Sequence, residues 1–265
     1  MTVLVRAFGV GCAKTGTHSL AAMYARALAT AHEPVAGKLI GLILDRDAGK
    51  ISQAEFETDV ARFFGAFDLD LNVSHVYGTI IDLLLRFYPE ARFILTTRDC
   101  RSWLRSCVNF HVVTGSLKNT TPEWLAFRDF TFGPERFAHR PEDAPLREAG
   151  LYSLDSYLSY WALHNARVIA TVPREQLLIV PMASLPRQAE RIAAFLGASP
   201  RSADLTRSHV HVSPQVATPL AALDRDYVAE RLAYYERNLL DAARARLPED
   251  LAALAIGRGK PQRHE

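Results

Sequence analysis

A chain of 265 residues with 49% apolar side chains, 31 Lys and Arg against 29 Asp and Glu, and a net charge of +2 is long enough for one large domain or two small ones. Ordinary apolar content and near-neutral charge exclude an intrinsically disordered chain and a broad nucleic-acid-binding surface. Cys12, Cys100 and Cys107 make neither a disulfide framework nor a spaced zinc pair. With no signal-peptide pattern and no run of roughly 20 apolar residues, a reduced, cytoplasmic protein without a metal or a membrane span is expected. The acceptor patterns at Asn72 and Asn119 are then expected to carry no glycan.

Residues 3–10, apolar and β-branched, read as a buried strand running into the turn Gly9-Val10-Gly11. Leu20, Met23, Tyr24, Ala27 and Leu28 follow at helical spacing. Strand, glycine turn and helix open an α/β domain. Ile80, Ile81, Leu84, Leu85 and Tyr88 then line a helix stopped before Pro89, and 92–97 is a second buried strand. Trp103, Cys107 and Phe110 share the face of another helix, with Asp99 its expected cap. Residues 154–171 read as a helix, 177–180 as a strand and 186–196 as a helix with Pro in its first turn and Gly197 at its C-cap. Tyr227, Val228, Arg231, Leu232, Tyr235 and Leu239 pattern a last amphipathic helix.

This alternation predicts a central parallel sheet flanked by helices in a single domain over 1–256, with a flexible tail at 257–265. Residues 115–150 interrupt it. They interleave Trp124, Phe127, Phe130, Phe132 and Phe137 with Gly and Pro, too many breakers for one regular element and too many rings for disorder. An acceptor-binding insertion or lid and a plain surface-packing loop are both open for it.

The turn Gly11-Cys12-Ala13-Lys14-Thr15-Gly16-Thr17-His18-Ser19 carries the chemistry. A glycine loop between a buried strand and a helix directs backbone N–H groups and the helix dipole at one point, with hydroxyls and Lys14 adding donors, which makes an anion site. A nucleoside triphosphate loop needs Gly immediately before Lys, but Ala13 stands there; a dinucleotide fingerprint begun at Gly9 needs Gly where Lys14 stands.

Lys14-Thr15-Gly16-Thr17 after a first strand resembles instead the 5′-phosphosulfate loop of sulfotransferases that use 3′-phosphoadenosine 5′-phosphosulfate (PAPS). A second motif agrees: Arg98 at a strand end and Ser106 eight residues on resemble the family's 3′-phosphate site. Similarity continues through Tyr160-Trp161-Ala162-Leu163-His164-Asn165, residues 176–180 and Phe195-Leu196-Gly197, covering roughly residues 5 to 200 with 115–150 unmatched. The family's C-terminal Arg-Lys-Gly triplet is absent, with Arg207 or His209 as possible substitutes.

The resemblance implies a P-loop-like sulfotransferase fold, PAPS as sulfuryl donor, 3′-phosphoadenosine 5′-phosphate (PAP) as product, no metal, and a small-molecule hydroxyl acceptor in a monomer or homodimer. It assigns Cys12, Ala13, Lys14, Thr15, Gly16, Thr17, His18, Arg98 and Ser106 to the nucleotide, and Lys14 to the charge developing on the leaving phosphate. That Lys is one of five, among 26 Arg, where a compact ammonium serves better than a guanidinium fork. Glu33, just after the first helix, is the expected general base, set extended by Pro34; His75 competes for that role. His18 faces either the sulfate or solvent, and His111 is expected to be structural. The alternatives are an ATP-dependent small-molecule kinase of related fold and a non-catalytic nucleotide-binding relative.

Overall fold

Residues 7–34, 36–210, 213–244 and 246 are described by the structure, a computed structural model. The N-terminal apolar run supplies β1 (Ala7–Gly9). The chain continues through α1 (Thr17–Tyr24), β2 (Thr30–His32), α2 (Ala36–Asp47), α3 (Gln53–Phe64), β3 (Leu71–Val73) and α4 (Ile81–Phe87). Next come β4 (Arg92–Thr97), α5 (Cys100–Thr114), α6 (Pro122–Phe132), α7 (Ala144–Glu148) and α8 (Leu154–Thr171), then β5 (Leu177–Pro181), α9 (Ala189–Leu196) and α10 (Arg225–Arg244). All strand pairs are parallel, in the order β2-β3-β1-β4-β5.

Because successive strand side chains point to opposite faces, each strand feeds both layers. Ala7, Leu71, Val73, Ile94, Leu178 and Val180 pack with α1 and α9. Phe8, Phe93, Leu95, Leu177 and Ile179 point the other way, into the larger core built with α2 to α8 and α10. Phe8 sits there among Phe64, Tyr77, Tyr88 and Phe93 at ring separations of 5.4–5.8 Å. Strands buried on both faces explain the near-continuous apolar runs in sequence.

Several elements differ from expectation. The first helix ends at Tyr24, where Ala27 and Leu28 both donate to the Tyr24 carbonyl in a turn. The helix expected around Ile80 begins as a 3-10 stretch, His75–Ile80, and the one expected at 186–196 starts with a 3-10 turn before α9. Residues 115–150 fold as α6 and α7 joined by turns. Short β2 and β3, and α2 and α3 between them, occupy a stretch for which the sequence pattern assigns no element. Asn72 is fully buried in β3, so its glycosylation pattern is inaccessible. The tail expected at 257–265 and the end of the expected domain lie outside the described residues.

Candidate active site

Parallel strands all deliver their C-terminal ends to one edge of a sheet, and ligands of open α/β folds bind there. The segments leaving those ends carry Glu33 after β2, His75 after β3, Lys14 after β1 and Arg98 after β4. Strand order therefore sets the sequence-distant residues Glu33, His75, Lys14 and Arg98 side by side, at steps of about 4.8 Å between neighbouring strands. Between β1 and β4 the direction of connection reverses, since the chain leaves β1 toward β2 and leaves β4 toward β5. Such a switch point opens a crevice, and Lys14 and Arg98 flank it.

The loop after β1 is braced from behind. The Thr15 hydroxyl donates to the Cys12 carbonyl at 2.7 Å and shares a hydrogen bond with Thr96 Oγ1 at 2.9 Å. Trp103 Nε1 donates to the Ala13 carbonyl at 2.8 Å, the Ala13 N–H to the Tyr160 hydroxyl at 3.3 Å, and His164 Nε2 to the Val10 carbonyl at 2.8 Å. Gly11 is packed so closely that a Cβ would lie 2.0 Å from Thr96 Oγ1 and 2.7 Å from the Thr96 carbonyl oxygen. Gly16, at φ +91°, is the N-cap of α1 and provides no side-chain acceptor, so the first turn of α1 has no side-chain cap. Lys14 also has positive φ, +67°. Its Nζ lies 4.5 Å from the centre of the Phe110 ring, and burial lowers its pKa. Arg98 ties the strand end to this loop, donating from Nε to Ser102 Oγ at 3.0 Å and from Nη1 to the Lys14 carbonyl at 3.4 Å.

Glu33 and His75, expected as rivals, form one pair: His75 Nδ1 lies 2.6 Å from Glu33 Oε1. Burial raises the Glu33 pKa, but His75 beside it, by charge and hydrogen bond, together with His32 and His18, holds it down to about 2. The acid is therefore a carboxylate throughout the neutral range. Glu33 has φ +52°, not the extended conformation expected before Pro34. Its N–H still bonds the Val73 carbonyl at 2.8 Å while its own carbonyl meets the Ala36 N–H at the start of α2. Turning from strand to helix within so few residues overrides the pre-proline preference. His18 stacks on His32, ring centres 3.5 Å apart, and His32 shares a 3.1 Å hydrogen bond with Thr17 Oγ1.

Lys14, Glu33 and His75 open into one cavity of about 490 Å³, whose walls include Phe110 and His111 from α5, Tyr160 from α8, and Trp124, Phe127, Arg128 and Thr131 from α6. Ala13, Thr17 and His18 also line it. The Cys12 and Thr15 side chains do not: both are fully buried, and the Thr15 N–H turns back onto the Cys12 carbonyl at 3.3 Å. The hydroxyls expected to converge on an anion separate in role, because Thr15 braces the loop and Ser19 accepts from the Val210 N–H at 3.3 Å. Only Thr17 keeps its hydroxyl at the cavity. Ser106 lies one turn beyond Ser102 on α5, half-buried. Arg207 and His209 are exposed, and neither lines the cavity. Asp99 caps α5 as expected, accepting from the Ser102 N–H at 2.9 Å. His111 is buried and bonded to the Tyr157 hydroxyl at 2.8 Å.

Sequence patterning misses His32, which has no spacing signal, and the bracing roles of Trp103, Tyr160 and His164, to which neither helical spacing nor the family resemblance assigns a contact. It also misses Asn109, buried on α5. Its amide donates to the Pro214 carbonyl at 2.8 Å and accepts from the Val216 N–H at 3.0 Å, clamping the segment that brings Ser213 to the cavity. Among the described residues no helix is long and apolar enough to cross a membrane.

A sulfotransferase domain family model matches residues 6–202, which contain the whole of this site except Ser213. The chain belongs to the sulfotransferase family. In fold, the sulfotransferase domain is similar to a crystal structure of a sulfotransferase from Alicyclobacillus acidocaldarius, with a TM-score of 0.52 and 17% identity over 94% of this chain and 98% of that one. No curated protein matches it. The match region spans the strand ends that carry Lys14, Glu33, His75 and Arg98 and includes α6, so the aromatic helix is part of the family's domain span.

Proposed function

We propose that this sulfotransferase transfers the sulfuryl group of PAPS to a hydroxyl of a small-molecule acceptor. The observation that carries the reading is the meeting of Lys14, at the mouth of an uncapped helix N-terminus, with the Glu33–His75 pair in one cavity. The residues fit a nucleotide bisphosphate: the backbone N–H groups of Lys14, Gly16 and Thr17 and the Lys14 ammonium suit the 5′ side, and Arg98 with Ser106 the 3′-phosphate. When bound, the donor supplies an activated sulfuryl group whose leaving group is a phosphate.

The chain's own part is positioning and charge control. Lys14 and the first turn of α1 stabilise negative charge gathering at the loop. His75, its Nδ1–H held by Glu33, presents Nε2 as the lone pair that takes the acceptor's hydroxyl proton, and the Glu33 carboxylate balances the imidazolium so formed. Glu33 thereby acts with His75 rather than in its place. A kinase would need a strand-end carboxylate free for magnesium; Asp99, after β4, instead caps α5. The buried, unpaired thiols of Cys12, Cys100 and Cys107 suit a reducing, cytoplasmic location.

Calorimetric titration of the chain with PAP, and separately with ATP and magnesium, tests the reading. Binding of PAP with no measurable ATP binding is expected; tight ATP binding without PAP binding sinks it.

A further inference from the structure

Resting on the proposed sulfuryl transfer, we infer that the acceptor is a hydroxylated aromatic compound bearing an anionic group, a carboxylate or its equivalent, which ion-pairs with Arg128. The cavity is walled by flat rings, Trp124 and Phe127 from α6 and Phe110 from α5, the surroundings that an aromatic ring fills best. On α6 the cavity-lining side chains fall at i, i+3, i+4, i+7 and i+8, as Trp124, Phe127, Arg128, Thr131 and Phe132, and Arg128 is the charged member of that stripe.

The guanidinium is held but not neutralised. Arg128 Nη1 donates to the Ser116 carbonyl at 2.6 Å, and the group lies 5.9 Å from the centre of the Trp124 ring. None of the ion pairs among the described residues includes it. The adjacent acid, Asp129, is engaged elsewhere, accepting from the Tyr152 hydroxyl at 2.7 Å. Arginine carries five N–H donors in a planar fork, so the contact to Ser116 leaves an edge for a bidentate carboxylate. Burial opposes the charge, lowering the Arg128 pKa, which is the condition under which an anionic partner is most favourable.

Charge within the cavity leads to the same ligand. Lys14 is committed to the donor loop, and Glu33 is matched by His75, which leaves Arg128 as the cation awaiting a partner. It lies on α6, whereas Arg98 lies at the end of β4 beside the loop after β1.

The test is equilibrium binding to the full chain saturated with PAP, followed by quenching of tryptophan fluorescence, with 3-(4-hydroxyphenyl)propanoate and its neutral amide as probes. The carboxylate is expected to bind about 10- to 100-fold tighter than the amide. In Arg128→Gln the two should bind alike, while Arg128→Lys keeps part of the difference and PAP affinity stays at the wild-type value in both. Equal affinity of acid and amide in the wild type, binding of neither, or a preference that survives in Arg128→Gln overturns the proposal. So does weakened PAP binding in Arg128→Gln, which would assign Arg128 to the donor. The wild-type comparison does not depend on how well the variants fold. If PAP itself fails to bind, the donor reading falls, and the acid and amide compared on the chain alone still decide for or against the anion site.

Discussion

Lys14 and Glu33 are the non-glycine residues with positive φ among the described residues, and both sit in the proposed machinery. A left-handed backbone costs an L-residue roughly 1–2 kcal/mol and persists where surrounding structure over-determines it. At Lys14 that structure is the braced loop; at Glu33 it is the bond to Val73. Substitution separates strain from chemistry. Lys14→Ala and Lys14→Gly should both lose about 10²–10³ in turnover, because either removes the ammonium. Lys14→Gly should be the more stable of the two by about 1 kcal/mol, because glycine tolerates φ +67°. Urea midpoints check this, and equal midpoints would show a loop that relaxes away from positive φ. At the neighbouring pair, Glu33→Gln and His75→Asn should each reduce turnover by about 10²–10⁴ with PAP affinity unchanged. Wild-type-like turnover in Glu33→Gln would remove the carboxylate from the proton path.

At the scale of elements, α5 joins the parts of the site. Its Trp103 holds the loop after β1, its Phe110 lies under Lys14, and its Asn109 clamps the segment beyond residue 212. Asn109 is 2% exposed, so Asn109→Ala leaves the Pro214 carbonyl and the Val216 N–H without their partner. A loss of about 1–3 kcal/mol in stability is expected, with faster proteolysis within 213–218. Protection equal to wild type would mean that other contacts hold the segment. What the sequence makes legible follows from the same division of labour. Long elements announce themselves: β4 and α8 run over the residues their apolar patterns predict, and β5 adds a single residue. The three-residue strands β2 and β3 are too short for a periodic signal, and β2 is only half-buried. For α3 a signal exists in the capping box of Ser52 and Glu55, which patterning by apolar residues alone passes over. In the site, Lys14 and Arg98 are legible because each belongs to a local motif. The Glu33–His75 pair is not, since its members are joined only by the adjacency of β2 and β3, a property of the sheet.

Over the whole molecule, the arrangement that buries imidazoles against the site makes stability depend on pH. Burial foremost, with the Arg128 and Lys14 charges adding, holds the His111 pKa down to about 3, and burial foremost, against its bond to Val10, holds that of His164 at about 4. In the unfolded chain both return to about 6.5. Above that value neither state is protonated and the stability is fully present. As pH falls below it, the unfolded chain binds two protons that the folded one refuses, so stability declines at up to about 2.7 kcal/mol per pH unit. Glu33 acts in the same direction lower down, because its folded value of about 2 lies under the unfolded carboxylate value, and its contribution is lost as pH falls through that range. Urea unfolding at pH 7 and pH 5 should therefore differ by about 3–4 kcal/mol, with His111→Gln recovering about half of the difference. A midpoint that stays constant between pH 7 and 5 would require these histidines to be protonated, or solvated, in the fold. Since His164 bonds the strand end that opens into the loop after β1 and His111 lines the cavity beyond it, acid should weaken that edge of the sheet before the helices packed away from it.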